Sequence, residues 1–251
     1  MPEGFKLVSL LGWTLGGVYL ARYSDSPAGA FDELVVLAGL VWNAPTSCAW
    51  AQRVYVNNHA ARNHGIRHVG LPSRLAAFAQ CSQQPDARAN RSRSAARGAA
   101  APAAASASGV QAWWNEPYAP HCGASTHVPV AVANCENSRR GHPGAIAQLQ
   151  LPCKPAGKGF PIHMHLPNFS GATPEHPGLM YYKCELRARL KPLIGQCIQS
   201  AGTYDREHPE DVSSVLQGKP VLCIEFADMR MSVPEPTPLQ WSSGKLKYVQ
   251  A

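Results

Sequence analysis

The stretch KCELRARLKP (183–192) alternates between apolar and charged residues without a break. Cys184, Leu186, Ala188 and Leu190 fall on one side of an extended chain, and Lys183, Glu185, Arg187, Arg189 and Lys191 on the other. Successive side chains of a strand point to opposite faces, so this stretch buries one face and wets the other, the pattern of antiparallel sheet. Other segments agree. LVVLAGLVW (34–42) is a β-branched run bounded by turn residues, which predicts a buried strand. SCAWAQRVYVNN (47–58) puts Cys48, Trp50, Gln52, Val54 and Val56 on one face and Arg53 and Tyr55 on the other. FPIHMHLPNFSG (160–171) reads as a strand ending in a turn, and KPVLCIEFADMRMSVPEP (219–236) as a long final strand.

Helical signals are few. Asn58 can cap a short helix over 59–64, with Gly65 ending it. VGLPSRLAAF (69–78) predicts a turn into a helical segment, with Pro72 at a first helical position. SDSPAGAFDE (24–33) is a turn-rich loop. Leu7 to Ala21 is uncharged and about as long as a signal-peptide core, but its glycines and aromatics predict β-structure turning at Gly16–Gly17. At least six strand segments with few helices predict a mainly β (α+β) protein. Its architecture is an antiparallel, closed or nearly closed β-barrel with a few short helices, able to hold a small or apolar ligand.

The 251 residues suit one domain spanning 1–251. Residues 82–109, SQQPDARANRSRSAARGAAAPAAASASG, break the pattern. Ala, Arg and Ser with no apolar period bury too little surface to order themselves, so this is a disordered insertion on one domain. No apolar run approaches the roughly 20 residues of a membrane helix, so no integral membrane segment is expected. The net charge of +7 is partly concentrated in the insertion and comes with no nucleic-acid motif, so no nucleic-acid partner is expected. Eight cysteines without a CxxC pair read as free thiols rather than a zinc site or a disulfide scaffold.

No phosphate loop, nucleophile elbow, zincin helix or dinucleotide fingerprint is present. His163 and His165 share a strand face but lack a third ligand, so neither a metal nor another cofactor is expected. Glu33 stands out among few carboxylates. It follows a Pro/Gly loop and precedes the most apolar run, where partial desolvation raises a carboxyl's pKa and suits acid/base work.

The runs DSPAGAFDELVVLAGLVW, PTSCAWAQRVYVN, NHGIRHVGLPSRLAAF, HLPNFSG and GKPVLCIEFADMRMSV resemble the acetoacetate decarboxylase-like superfamily, and more closely its plant, algal and cyanobacterial neoxanthin-deficient branch. The resemblance implies a mainly antiparallel barrel with a central pocket, a chloroplast pathway, and an apolar or carotenoid-like ligand. No transit peptide is visible in this chain. A homo-oligomer is compatible with it. In true decarboxylases the segment matching GLPSRLA carries two adjacent lysines, one forming a Schiff base while its neighbour depresses its pKa; the handling of acetoacetate by such an amine is a known case of nucleophile activation. Here those positions are Ser73 and Arg74. The resemblance matches the pocket carboxylate to Glu33, and Arg53, Ser73 and Arg74 are taken as pocket residues beside it, with Glu33 and Arg74 expected to face one cavity. Two functions follow: a non-decarboxylating barrel that assists xanthophyll formation, or a carotenoid-modifying enzyme or isomerase using Glu33 as its acid/base.

Overall fold

A computed structural model describes residues 6–43, 46–80, 127–135, 144–152, 158–193, 197–199, 212, 215–218, 221–242 and 245–248. The insertion 82–109 lies outside these residues. The first described elements form a small hairpin, β1 (Ser9–Leu10) and β2 (Trp13–Thr14). Three long antiparallel strands follow: β3 (Gly17–Tyr23), β4 (Phe31–Asn43) and β5 (Thr46–Val56). Helix α1 (His59–His64) and a π-helical turn over Gly65–Val69 lead to β6 (Ser73–Gln80). Then come β7 (His127–Asn134), β8 (Gly144–Pro152), β9 (Phe160–Gly171), β10 (Leu179–Leu193), β11 (Cys197–Gln199), β12 (Cys223–Ser232), β13 (Thr237–Ser242) and β14 (Lys245–Tyr248).

The main sheet forks twice instead of closing. One edge of β5 pairs with β4, while its other edge is shared by β6 at Val54–Val56 and β9 at Ala49–Trp50, both parallel. One edge of β10 carries β9, and its other edge carries β13 at one end and β12 at the other. Among the described residues β3 pairs only with β4, and β12 only with β10. The fold is mainly β and antiparallel as expected, but among the described residues strand pairing does not close it into a barrel. The physical reason is that long β5 and β10 each divide one edge between two neighbours, so the sheet branches.

Three cores sit on these surfaces. The largest joins Leu34, Val36 and Tyr55 to Ala76, Phe78, Val130, Val132, Ala147 and Leu149 across β4 to β8, with Val212 and Leu216. A second gathers Val41, Cys48, Trp50, Phe169, Leu179 and Leu239. The third is small: Val69, Tyr182 and Cys184, with Leu71 and Met231 against them.

The alternation in 183–192 is realised in β10. Cys184, Leu186 and Ala188 are buried, while Lys183 and Arg187 are exposed. Several local expectations are corrected. Residues 73–80 form β6, not a helix. Alanine is the strongest helix former, but intrinsic propensity is a weak force, and pairing with β5 and β7 overrides it. The N-terminal reversal lies at Leu11–Gly12, both at positive φ, rather than at Gly16–Gly17. Asn58 caps α1 by accepting from the Ala60 and Ala61 amides, but Gly65 keeps a right-handed φ of −55° and the chain runs on into the π-helical turn. Segment 219–236 holds β12, and two strands follow it. Both faces of β5 are covered, since Tyr55 is as buried as Val54 and Val56.

Gly70 ends the π-helical turn at φ +67°, and its carbonyl accepts from the Gly171 amide at 2.9 Å. A Cβ there would run into the Met180 methyl group and crowd the Gly171 backbone. Gly70→Ala is therefore expected to lower stability by about 1–3 kcal/mol through left-handed strain and the close approach together. A urea midpoint equal to wild type would contradict this.

The β1–β2 hairpin pairs Leu10 with Trp13 and leaves both exposed, with Leu11 at the tip. No helix among the described residues is long and apolar enough to cross a membrane. Among the described cysteines, Cys48, Cys184 and Cys223 are free thiols.

Candidate functional site

Asp32 and Glu33 are neighbours in β4, so alternation sends them to opposite faces. The strand begins at Phe31, which makes Glu33 a strand residue rather than the end of the preceding loop. Asp32 is 3% exposed. Arg22 clasps it with two bonds, Nε to Oδ1 at 2.7 Å and a terminal nitrogen to Oδ2 at 3.2 Å. The Asn57 side-chain amide donates to Oδ2 at 3.2 Å, and the Asp32 amide donates to Asn57 Oδ1 at 2.8 Å. That carboxylate fixes the end of the sheet.

Glu33 faces a different environment. Register aligns it with Ala21 of β3 and Val56 of β5. Tyr19 and Tyr23 have the same parity as Ala21 and flank it on this face. The Tyr23 hydroxyl donates to Glu33 Oε2 at 3.1 Å, and the hydroxyls of Tyr23 and Tyr19 lie 3.2 Å apart. Tyr19 also reaches β12, donating to the Met229 sulfur at 3.1 Å. This link joins β3 to β12 by side chains where the backbone does not pair.

Part of the Glu33 residue reaches solvent, but its carboxyl end lies deep among Tyr23 and the electrostatic neighbours Tyr19, Tyr182 and Cys184. Burial disfavours the charged form and pushes the carboxyl up to about 7, against the opposing pull of the Tyr23 hydrogen bond. Burial first raises both the Tyr23 and Tyr182 phenols well above their ordinary range, followed by the Glu33 charge at Tyr23 and by Cys184 and then Glu33 at Tyr182. The Cys184 thiol is pushed up to about 11 by burial and then by Glu33. These groups therefore stay protonated and neutral at physiological pH, which leaves Glu33 as the member of the cluster that changes charge there.

The parallel β5–β6 register decides where the remaining sequence-derived residues go. Ser73 aligns with Val54 and shares the Glu33 face, whereas Arg74 aligns with Tyr55 on the other. Ser73 is 5% exposed and packs against Gly65, where an added Cβ would meet its hydroxyl oxygen at 2.5 Å. Arg53 aligns with Val36, on the Arg74 side. The structure thus groups Glu33 with Ser73 and separates both from Arg74 and Arg53. Sequence reasoning missed Tyr19, Tyr23, Tyr182, Cys184 and Met229. Tyr19 and Tyr23 carried a usable signal, because residues four apart in a strand share a face.

His163 and His165 stay on the outer face of β9, their rings 5.3 Å apart. His163 meets Glu185 at 2.8 Å, and Arg187 binds the same carboxylate. Among the described residues no group of three His, Cys, Asp or Glu side chains could hold a metal ion.

The fold has a counterpart among solved structures. The acetoacetate decarboxylase of Legionella pneumophila superposes with a TM-score of 0.53 over 96% of this chain and 78% of its own, at 10% identity. The protein therefore has an acetoacetate decarboxylase-like fold. Its sequence is much closer to three plant proteins named NEOXANTHIN-DEFICIENT 1. The rice protein is 35% identical, the tomato protein 35% and the Arabidopsis thaliana protein 34%. Each match spans 94% of this chain and 80%, 83% and 84% of the relative, respectively. The chain belongs to the neoxanthin-deficient 1 family. No family model matches it.

Proposed function

We infer that the protein acts in the formation of neoxanthin, as a non-decarboxylating protein of acetoacetate decarboxylase-like fold that binds an apolar or carotenoid-like molecule. One observation carries the role: identity of 34–35% along 94% of the chain to proteins named for a neoxanthin deficiency. The binding face is the one that holds Glu33 and Ser73, between Val54 and Val56 on one side and Tyr182 and Cys184 on the other.

Schiff-base decarboxylation needs a primary amine, whose nitrogen loses both hydrogens with the carbonyl oxygen as water. Ser73 stands at the position that the decarboxylase resemblance gives to that amine, and a hydroxyl forms no imine. Borohydride reduction in the presence of acetoacetate is expected to leave the protein mass unchanged. A stoichiometric adduct on a lysine would contradict this part of the proposal.

A second reading has its own support. A carboxyl pushed up to about 7 beside a tyrosine hydroxyl is matched to moving protons at physiological pH. Glu33 would then be the acid/base of a carotenoid isomerisation. Incubation of the purified protein with violaxanthin, followed by gel filtration and pigment chromatography, tests both readings. Co-elution of unchanged pigment supports the binder, and conversion that Glu33→Gln abolishes supports the enzyme. Unchanged pigment that separates from the protein contradicts both.

A further inference from the structure

We propose that Glu33, Tyr23, Tyr19 and Met229 form a reversible hydrogen-bond relay, in which Tyr23 and Met229 are positioning residues that favour opposite protonation states of the Glu33 carboxyl. The proposal rests on Glu33 being the working group of the site.

The geometry is continuous from β4 through β3 to β12. Glu33 Oε2 to the Tyr23 hydroxyl is 3.1 Å, Tyr23 to Tyr19 is 3.2 Å, and Tyr19 to the Met229 sulfur is 3.1 Å. Each hydroxyl has one hydrogen to donate, and the thioether has none. With Glu33 ionised, Tyr23 donates to the carboxylate and Tyr19 donates to Tyr23, which leaves the Met229 sulfur without a donor. With Glu33 protonated, the carboxyl donates to Tyr23, Tyr23 to Tyr19 and Tyr19 to the sulfur. Every hydrogen is placed in both states, and no atom moves beyond rotation of hydroxyl groups. Without Met229, the protonated state would leave the last hydroxyl hydrogen unmatched in a partly buried place. The relay therefore lowers the cost of either charge state in surroundings that otherwise oppose charging.

The other groups facing Glu33 do not break this balance. Tyr182 and Cys184 of β10 are buried and stay neutral, and the Cys184 sulfur accepts from the Asn168 side chain at 3.5 Å. Ser73 of β6 carries no charge.

The test is titration of Glu33 in the ligand-free protein by carbon NMR of labelled glutamate carboxyls, with the signal assigned by its loss in Glu33→Gln. Tyr23→Phe removes the donor to the ionised state, so the proton affinity of Glu33 is expected to rise about tenfold. Met229→Leu removes the terminal acceptor of the protonated state, so the affinity is expected to fall about twofold. Opposite signs are the signature, since a loss of packing alone lets water reach the carboxyl and shifts both variants downward or neither. 3-Fluorotyrosine at position 23 keeps the shape while strengthening the donor, and is expected to lower the affinity. This third arm serves if a substitution prevents folding. Shifts of one sign, or no shift in any arm, overturn the relay. The titration needs no pigment, so failure of the pigment assay leaves its outcome readable.

Discussion

Glu33→Gln is expected to stabilise the protein by up to about 3 kcal/mol at pH 8 and to change it little near pH 4. The sign follows from the direction of the shift. Folding raises this carboxyl to about 7 from an ordinary value of 4.5. Between those values the folded state holds the proton and the unfolded state releases it. Stability is therefore highest below about 4.5 and falls as the pH rises towards 7, where the folded carboxyl ionises and the penalty levels off. Glutamine keeps an oxygen that can accept from Tyr23 but never charges, so it removes the penalty. Urea unfolding of both proteins at pH 4 and pH 8 measures it. A variant less stable than wild type at pH 8 would show that the carboxylate is a structural anchor. A destabilising carboxylate is what a group held for function looks like, because nothing in the fold's stability favours it.

Arg22→Ala is expected to cost about 3 kcal/mol, at the low end of the range for a broken buried ion pair because part of the arginine reaches solvent. The loss comes mainly from what remains: Asp32, almost fully buried, with Asn57 its remaining hydrogen-bond donor among the described residues. Arg22→Ala combined with Asp32→Asn is therefore expected to lose less than the two single losses added. Additive losses, or an Arg22→Ala loss below about 1 kcal/mol, would mean the pair contributes no more than a surface contact. The two adjacent carboxylates thus predict opposite results: disrupting the environment of Asp32 weakens the fold, and neutralising Glu33 strengthens it.

The strand content was legible because it is local. A period of two in β10, a β-branched run in β4 and a turn-bounded run in β9 state their conformation within a dozen residues. What was not legible depends on distant pairing. β6 is rich in alanine and follows a proline, and nothing inside it reveals that β5 lies parallel on one side and β7 antiparallel on the other. That the sheet branches instead of closing into a barrel was illegible for the same reason, since the double pairing of β5 and β10 lies in the register. Within the site, Glu33 was found from its place before an apolar run. Its expected partner was drawn from the sequence neighbour of Ser73, and adjacent strand residues point to opposite faces. Register therefore groups Ser73 with Glu33 and sets Arg74 with Tyr55. The tyrosines that surround Glu33 come from β3 and β10, far apart in the chain, and only their shared parity on β3 was visible in advance.

The most direct measurement is complementation. A plant line lacking the neoxanthin-deficient protein, transformed with this chain bearing a plastid-targeting leader, is expected to recover neoxanthin in leaf pigment extracts. The Glu33→Gln variant, accumulated to the same protein level, is expected to restore none if the carboxyl moves protons, and to restore it fully if the protein only binds. Extracts that stay without neoxanthin although folded wild-type protein accumulates in the plastid would contradict the proposed role itself.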